Sequence, residues 1–330
     1  MRIVIAVFGL IGTLHPALLL AQDKPAPENP EDILNAVVGV SAKIQPNARS
    51  AESLGTQRRG TGVLVREGYV LTIGYLIIEA EAIQVTAADG RTVPATLAGY
   101  DHASGFGLLK LVGPAPGKPL SLGDSKALAE RDPVMVVTAA AREAPSLVYV
   151  VSRRAFSGNW EYLLDSAIFT YPPVMDWSGA PLIGAGGELL GIGSLVVPDA
   201  AAPGTQSPGN MFVPVELLKP ILDDLIAKGR RDGPARPWLG VNADEFRGRL
   251  FVGRVSPDGP ADRAGLKSGD IVLAVGNDEV STLADFYKRI WGRGAAGADV
   301  PLKVLQGVRV RDVTVRSIDR VDYFRPARTY

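Results

Sequence analysis

Between residues 37 and 213 the chain is a succession of short β-type runs with turn residues between them and no intervening helix-period segment. The runs fall at 37–44, 62–65, 69–72, 82–87, 92–98, 107–111, 133–138, 147–152, 167–171, 181–183, 189–197 and 211–213. Gly, Pro, Asp and Asn separate them, as at Ala88-Asp89-Gly90. Many short strands at this spacing restrict the region to an all-β barrel or sandwich.

The pattern changes at Val215. Leu217, Leu218, Ile221, Leu222, Leu225 and Ile226 form an apolar stripe of helical period, with Pro220 near the start of its regular part and Gly229 as its stop. Residues 229–237 (GRRDGPARP) are a polar Pro/Gly linker. From Trp238 onward strand candidates at 240–242, 250–255, 271–275, 300–306 and 312–317 alternate with helical segments at 261–264 and 283–291, an α+β reading. The expected division is a leader at 1–21, a Pro-rich spacer at 22–31, a β domain at 32–228, the linker at 229–237, an α+β domain at 238–318 and an elementless basic and aromatic tail at 319–330.

Residues 1–21 are apolar with one charge, Arg2, and precede a polar, proline-rich stretch. This is the pattern of a secretory signal, cut after Ala21 or retained as an anchor. The chain has no cysteine, which excludes disulfides and thiolate chemistry. Of its two histidines, His15 lies in the leader, so His102 is the one left beyond it, and no metal site or cofactor is expected. Residues 22–228 carry 16 Lys and Arg against 22 Asp and Glu, a net of −6, whereas residues 229–330 carry 18 against 13, a net of +5. The basic residues are scattered and match no nucleic-acid signature, so no nucleic-acid partner is expected.

Particular segments resemble the HtrA/Deg family of exported trypsin-like serine proteases with C-terminal PDZ domains. They are Gly60-Thr61-Gly62-Val63-Leu64, Val70-Leu71-Thr72, the segment 101–110 (DHASGFGLLK), the segment 176–182 (DWSGAPL) and the segment 210–214 (NMFVP). In the last domain Trp238-Leu239-Gly240-Val241 and the dense run 259–272 (GPADRAGLKSGDIV) resemble an HtrA-type PDZ domain. The resemblance implies an all-β chymotrypsin/trypsin-like double β-barrel followed by an α+β PDZ domain, in a bacterial periplasmic protein. It also implies a possible homotrimer and binding of peptides or unfolded proteins, C-terminal carboxylates included.

Carried over by position, the catalytic histidine becomes Tyr75 and the catalytic aspartate becomes Gly105, while the nucleophile position keeps Ser178. The glycine two residues before the serine becomes Asp176, a negative charge where a developing oxyanion needs donors. A serine needs a neighbouring base, and a phenol whose reference pKa is about 10 does not serve at neutral pH. The resulting expectation is a pseudoprotease acting as adaptor, regulator or chaperone. Two alternatives stand beside it: a weak or partner-activated endopeptidase using Ser178 with His102 as base, and a regulatory subunit co-assembling with an active HtrA protease. For peptide binding the resemblance implies the backbone of Trp238, Leu239, Gly240 and Val241 as the carboxylate loop. On the groove helix, whose stripe Leu283, Phe286 and Ile290 is core, Ala284 and Tyr287 lie on the flank and are expected to reach a bound peptide.

Overall fold

The computed structural model describes residues 29–324. The leader expected at 1–21, with His15, lies outside the described residues. So do most of the spacer and the last six residues of the tail.

The described chain opens with a helix that begins in the last two residues of the expected spacer and runs into the expected β domain. Helix α1 (Pro30–Ala36) starts where Asn29 Oδ1 accepts from the Glu31 N–H and Pro30 supplies a fixed first turn. Its two buried residues, Ile33 and Ala36, join the barrel core and hold the helix against it.

Strands β1 (Val37–Ile44), β2 (Gln57–Arg66), β3 (Tyr69–Ile73), β4 (Ala80–Thr86), β5 (Thr92–Tyr100) and β6 (Phe106–Leu111) close in the order β1-β2-β3-β6-β5-β4. A one-turn helix, α2 (Ala51–Leu54), sits in the β1–β2 connection. Strands β7 (Pro133–Val136), β8 (Ser146–Gly158), β9 (Tyr162–Tyr171), β10 (Pro181–Ile183), β11 (Leu189–Val197) and β12 (Gly209–Pro214) close a second barrel in the order β10-β11-β12-β9-β8-β7. Alternating Val, Leu and Ile of both barrels fill a shared core, with Phe106, Leu108, Phe169 and Met211 fully buried.

The helical stripe after Val215 divides into a 3-10 turn (Val215–Leu217) and helix α3 (Leu222–Lys228), with Pro220 between them; Gly229 ends α3 in the left-handed conformation, φ 73°. The last domain is a sheet in the order β13-β14-β15-β17-β18, with β16 paired to β15. Its strands are β13 (Val241–Phe246), β14 (Arg249–Val255), β15 (Ile271–Val275), β16 (Asp278–Glu279), β17 (Asp299–Gln306) and β18 (Arg309–Arg316). Helices α4 (Pro260–Arg263) and α5 (Leu283–Trp291) complete it, and the Thr282 hydroxyl caps α5 by accepting from the Asp285 N–H. The double barrel followed by an α+β domain is the architecture read from the sequence.

Two segments differ from their sequence reading. The tail is not elementless: α6 (Arg320–Tyr323) is capped by Asp319, and Tyr323 packs on Trp238, ring centroids 4.7 Å apart, with the Arg49 guanidinium 4.3 Å from its ring centroid. Packing onto Trp238 of the last domain and Arg49 of the barrel orders a segment whose composition shows no element. The second difference is the β8–β9 hairpin, which runs on to a turn at Asn159, Trp160 and Glu161 and reaches the PDZ-like domain.

Candidate active site and carboxylate loop

Ser178, Tyr75 and Gly105 come together at the junction of the two barrels. Tyr75 stands in a 3-10 turn after β3, and its hydroxyl lies 2.8 Å from Ser178 Oγ and 2.8 Å from the Ser194 carbonyl oxygen. A phenol has one proton and the carbonyl only accepts. When Tyr75 donates to Ser194, the Ser178 hydroxyl is left to donate to the phenol oxygen. Burial pushes the Tyr75 hydroxyl up to about 12, against the opposing effect of its hydrogen bonds with Ser178 and Trp177. Tyr75 therefore stays protonated at neutral pH and takes no proton from the serine.

Gly105 has φ 82°, a conformation that favours glycine. A Cβ there would lie 3.4 Å from Tyr162 Oη. Tyr162 stands against Gly105, and its hydroxyl donates to the Ser104 carbonyl at 2.6 Å. Two phenols, Tyr75 and Tyr162, thus line the junction.

The turn carrying Ser178 keeps its tight geometry. Gly179 has φ 75°, and a Cβ there would meet the Thr61 carbonyl oxygen at 2.0 Å. Asp176, exposed, holds φ 59°, a strained conformation for a residue with a Cβ. Trp177 is half-buried and its indole N–H donates to Ser194 O at 3.2 Å.

His102 does not join them. It packs edge-on to Tyr100 at 4.2 Å and stacks with Phe324 at 5.9 Å. Its neighbour Asp101 is engaged elsewhere, accepting from Ser104 N–H and bidentately from Arg231 at 2.8 Å. Burial, reinforced by the Arg320 cation, holds the His102 imidazole well below its usual range. Among the described residues no group of three His, Cys, Asp or Glu side chains is placed to hold a metal ion.

The second constellation is at residues 238–241. Leu239, Gly240 and Val241 present their N–H groups to one carboxylate, at 3.0, 2.7 and 2.9 Å. The carboxylate belongs to Glu161, at the tip of the β8–β9 hairpin. Trp238 itself bridges to Ile318 through its backbone. Burial raises the Glu161 carboxyl above its ordinary range, and the three backbone donors work against that rise. Ala284 is half-buried on α5. Tyr287 differs from its reading as a groove-flanking contact: it is fully buried and donates from its hydroxyl to the Gly158 carbonyl at 2.8 Å. The hairpin covers it, so it faces the chain's own backbone.

Sequence reasoning missed Glu161 and Tyr162. The available signal was the Gly158-Asn159 pair between β-prone aromatics, a hairpin turn signature that lengthens both flanking strands.

Residues 60–192 match the model of a trypsin-like peptidase domain, and residues 237–316 match that of a PDZ domain. A probable periplasmic serine endoprotease, DegP-like, of Halomonas elongata is 31% identical over 296 residues, covering 82% of this chain. The chain belongs to the HtrA/DegP family. It spans 59% of that relative's length. The Escherichia coli periplasmic pH-dependent serine endoprotease DegQ is 29% identical over 273 residues, covering 78% of this HtrA-family chain and 58% of its own. Among solved structures, the serine endoprotease from Yersinia pestis superposes with a TM-score of 0.51 at 23% identity, covering 89% of this chain and 99% of its own. The HtrA-type protease AlgW with a decapeptide gives 0.53 at 21%, covering 91% and 99%. At such identities these two speak for the fold alone.

Proposed function

We propose that this HtrA-family chain is an exported pseudoprotease. It takes peptide C-termini or unfolded segments through its PDZ domain and acts as an adaptor, regulator or chaperone in the periplasm. The observation that carries the reading is the hydrogen bond between the Tyr75 hydroxyl and Ser178 Oγ, where a general base would have to be. Loss of the histidine or serine of a triad costs about 10⁶-fold in turnover. Gly105 and Asp176 further remove the carboxylate that orients the base and oppose the oxyanion.

In this reading the barrels serve as a scaffold, and the periplasmic setting follows the leader at 1–21 and the names of the relatives. Co-assembly with an active HtrA-type protease, or a homotrimer, fits the same scaffold role. The test is cleavage of unfolded casein by the chain without its leader, beside Ser178→Ala, with fluorophosphonate labelling of both. The expected result is no cleavage and no labelling that depends on Ser178. Cleavage lost in Ser178→Ala overturns the reading.

A further inference from the structure

We propose that the PDZ domain of this chain is self-liganded: residues 159–161 stand in for the last three residues of a bound peptide, and an incoming protein C-terminus binds by displacing the Glu161 carboxylate. The inference rests on reading residues 238–241 as a carboxylate-binding loop, and concerns how that site is regulated.

The register carries it. A peptide that adds a strand to a sheet edge pairs with every second residue, and its terminal carboxylate sits in a nest of consecutive N–H groups. Here Leu239, Gly240 and Val241 donate to the Glu161 carboxylate. Two residues further along β13, Ala243 N–H donates to the Asn159 carbonyl at 2.9 Å, two residues back along the hairpin. Residues 159–161 form a turn, but the order of the two contacts, Val241 with Glu161 and Ala243 with Asn159, is that of an antiparallel ligand. On the opposite side of the groove, Tyr287 on α5 donates to Gly158 O. Leu163, two residues beyond Glu161, is buried in the same apolar cluster as Leu239, Val241, Phe286 and Ile290. A simple tether between domains requires a carboxylate contact or a strand contact; the hairpin makes both at the spacing of a ligand.

Strain marks the same residue. Glu161 is the third residue of a three-residue hairpin loop between Gly158 and Tyr162, and holds φ 58°. Glycine is the favoured residue at that position. A glutamate there is retained in a costly conformation by what its side chain binds.

The incoming ligand's apparent affinity is reduced by the fraction of molecules with the hairpin undocked.

The experiment uses the full chain without its leader, Glu161→Gln and Glu161→Gly. Gln removes the charge at constant shape, and Gly suits φ 58°, so the hairpin fold is kept. The probe is a randomised decapeptide mixture with free C-terminal carboxylates, beside the same mixture amidated, with captured peptides quantified by mass spectrometry. Both variants should capture carboxylate-ended peptides about tenfold or more above the unsubstituted chain, and amidated peptides no better. Hydrogen exchange at Leu239, Gly240 and Val241 should be slow in the unsubstituted chain and fast in Glu161→Gly. Equal capture of carboxylate peptides by all three proteins, or equally fast exchange, overturns self-liganding and leaves the peptide site standing. Capture by none of them, or indifferent to amidation, overturns the carboxylate-loop reading and the inference with it.

Discussion

Tyr75 and Ser178 meet hydroxyl to hydroxyl at 2.8 Å, and in the proposed reading Tyr75 stands where an active protease would carry its imidazole. The contact binds the serine to a group that does not take its proton. Restoring the imidazole alone should therefore achieve little. In Tyr75→His the ring has no carboxylate behind it, because Gly105 offers none and Tyr162 stands against it. Loss of that orienting carboxylate alone costs about 10⁴-fold in a working triad. Tyr75→His is expected to cleave fluorogenic casein below 10⁻⁴ of the rate of an active HtrA protease, roughly the level set by that loss. A rate within about tenfold of such a protease refutes the account of Gly105.

Asp176 occupies a left-handed conformation, φ 59°, without a buried contact that needs its side chain. Asp176→Gly is expected to stabilise the chain by about 1 kcal/mol, since glycine adopts that conformation without a Cβ clash. Thermal melting should shift upward by a few degrees, roughly 2–4 °C. Fluorophosphonate labelling of Ser178 should remain absent, because relief of strain supplies no base.

How much of this was legible in the sequence depends on the range of the interaction. The barrels show as period-2 runs between turn residues, and Leu283–Trp291 shows as an amphipathic stripe, because burial on one face imposes a local period. The reading of Tyr75 and Gly105 as triad positions rests on position alone. Glu161 is not: its partner Leu239 lies 78 residues away, and one more charged residue in a turn has no periodic signature. The helical turn Arg320–Tyr323 escapes for the same reason, since Trp238 and Arg49, which pack against Tyr323, are distant in sequence.

Acid should weaken the fold through His102. Its Nδ1 is buried without a hydrogen-bond partner among the described residues, and its folded pKa is held well below 6.5, first by burial and then by the Arg320 cation. Below pH 6.5 the unfolded chain binds the proton and the folded chain resists it. Stability is thus present above the unfolded pKa and is lost as pH falls below it. Melting temperature should drop between pH 7.5 and 5.5, and His102→Phe, which keeps the ring packing against Tyr100 and Phe324, should flatten that drop. An identical pH profile for both proteins refutes the assignment.

Arg231 ties the linker to the barrel. Arg231 donates twice to Asp101, whose side chain is 3% exposed, while Arg231 itself is 39% exposed. Desolvation raises the Asp101 carboxyl, but the hydrogen bonds from Arg231 and Ser104 outweigh it and hold the group below its ordinary value. Arg231→Ala leaves a buried carboxylate with the Ser104 donors alone. Full loss of a buried partner costs about 3–5 kcal/mol; the half-exposed guanidinium reduces this to about 2 kcal/mol. Urea unfolding should show that loss as a lower midpoint with an unchanged slope. Because Asp101 opens the loop that carries His102 and Gly105, Arg231→Ala should also speed hydrogen exchange at Gly105, whose N–H donates to the Asp101 carbonyl at 2.7 Å. Exchange there equal to that of the unsubstituted chain refutes the link between the linker and the barrel junction.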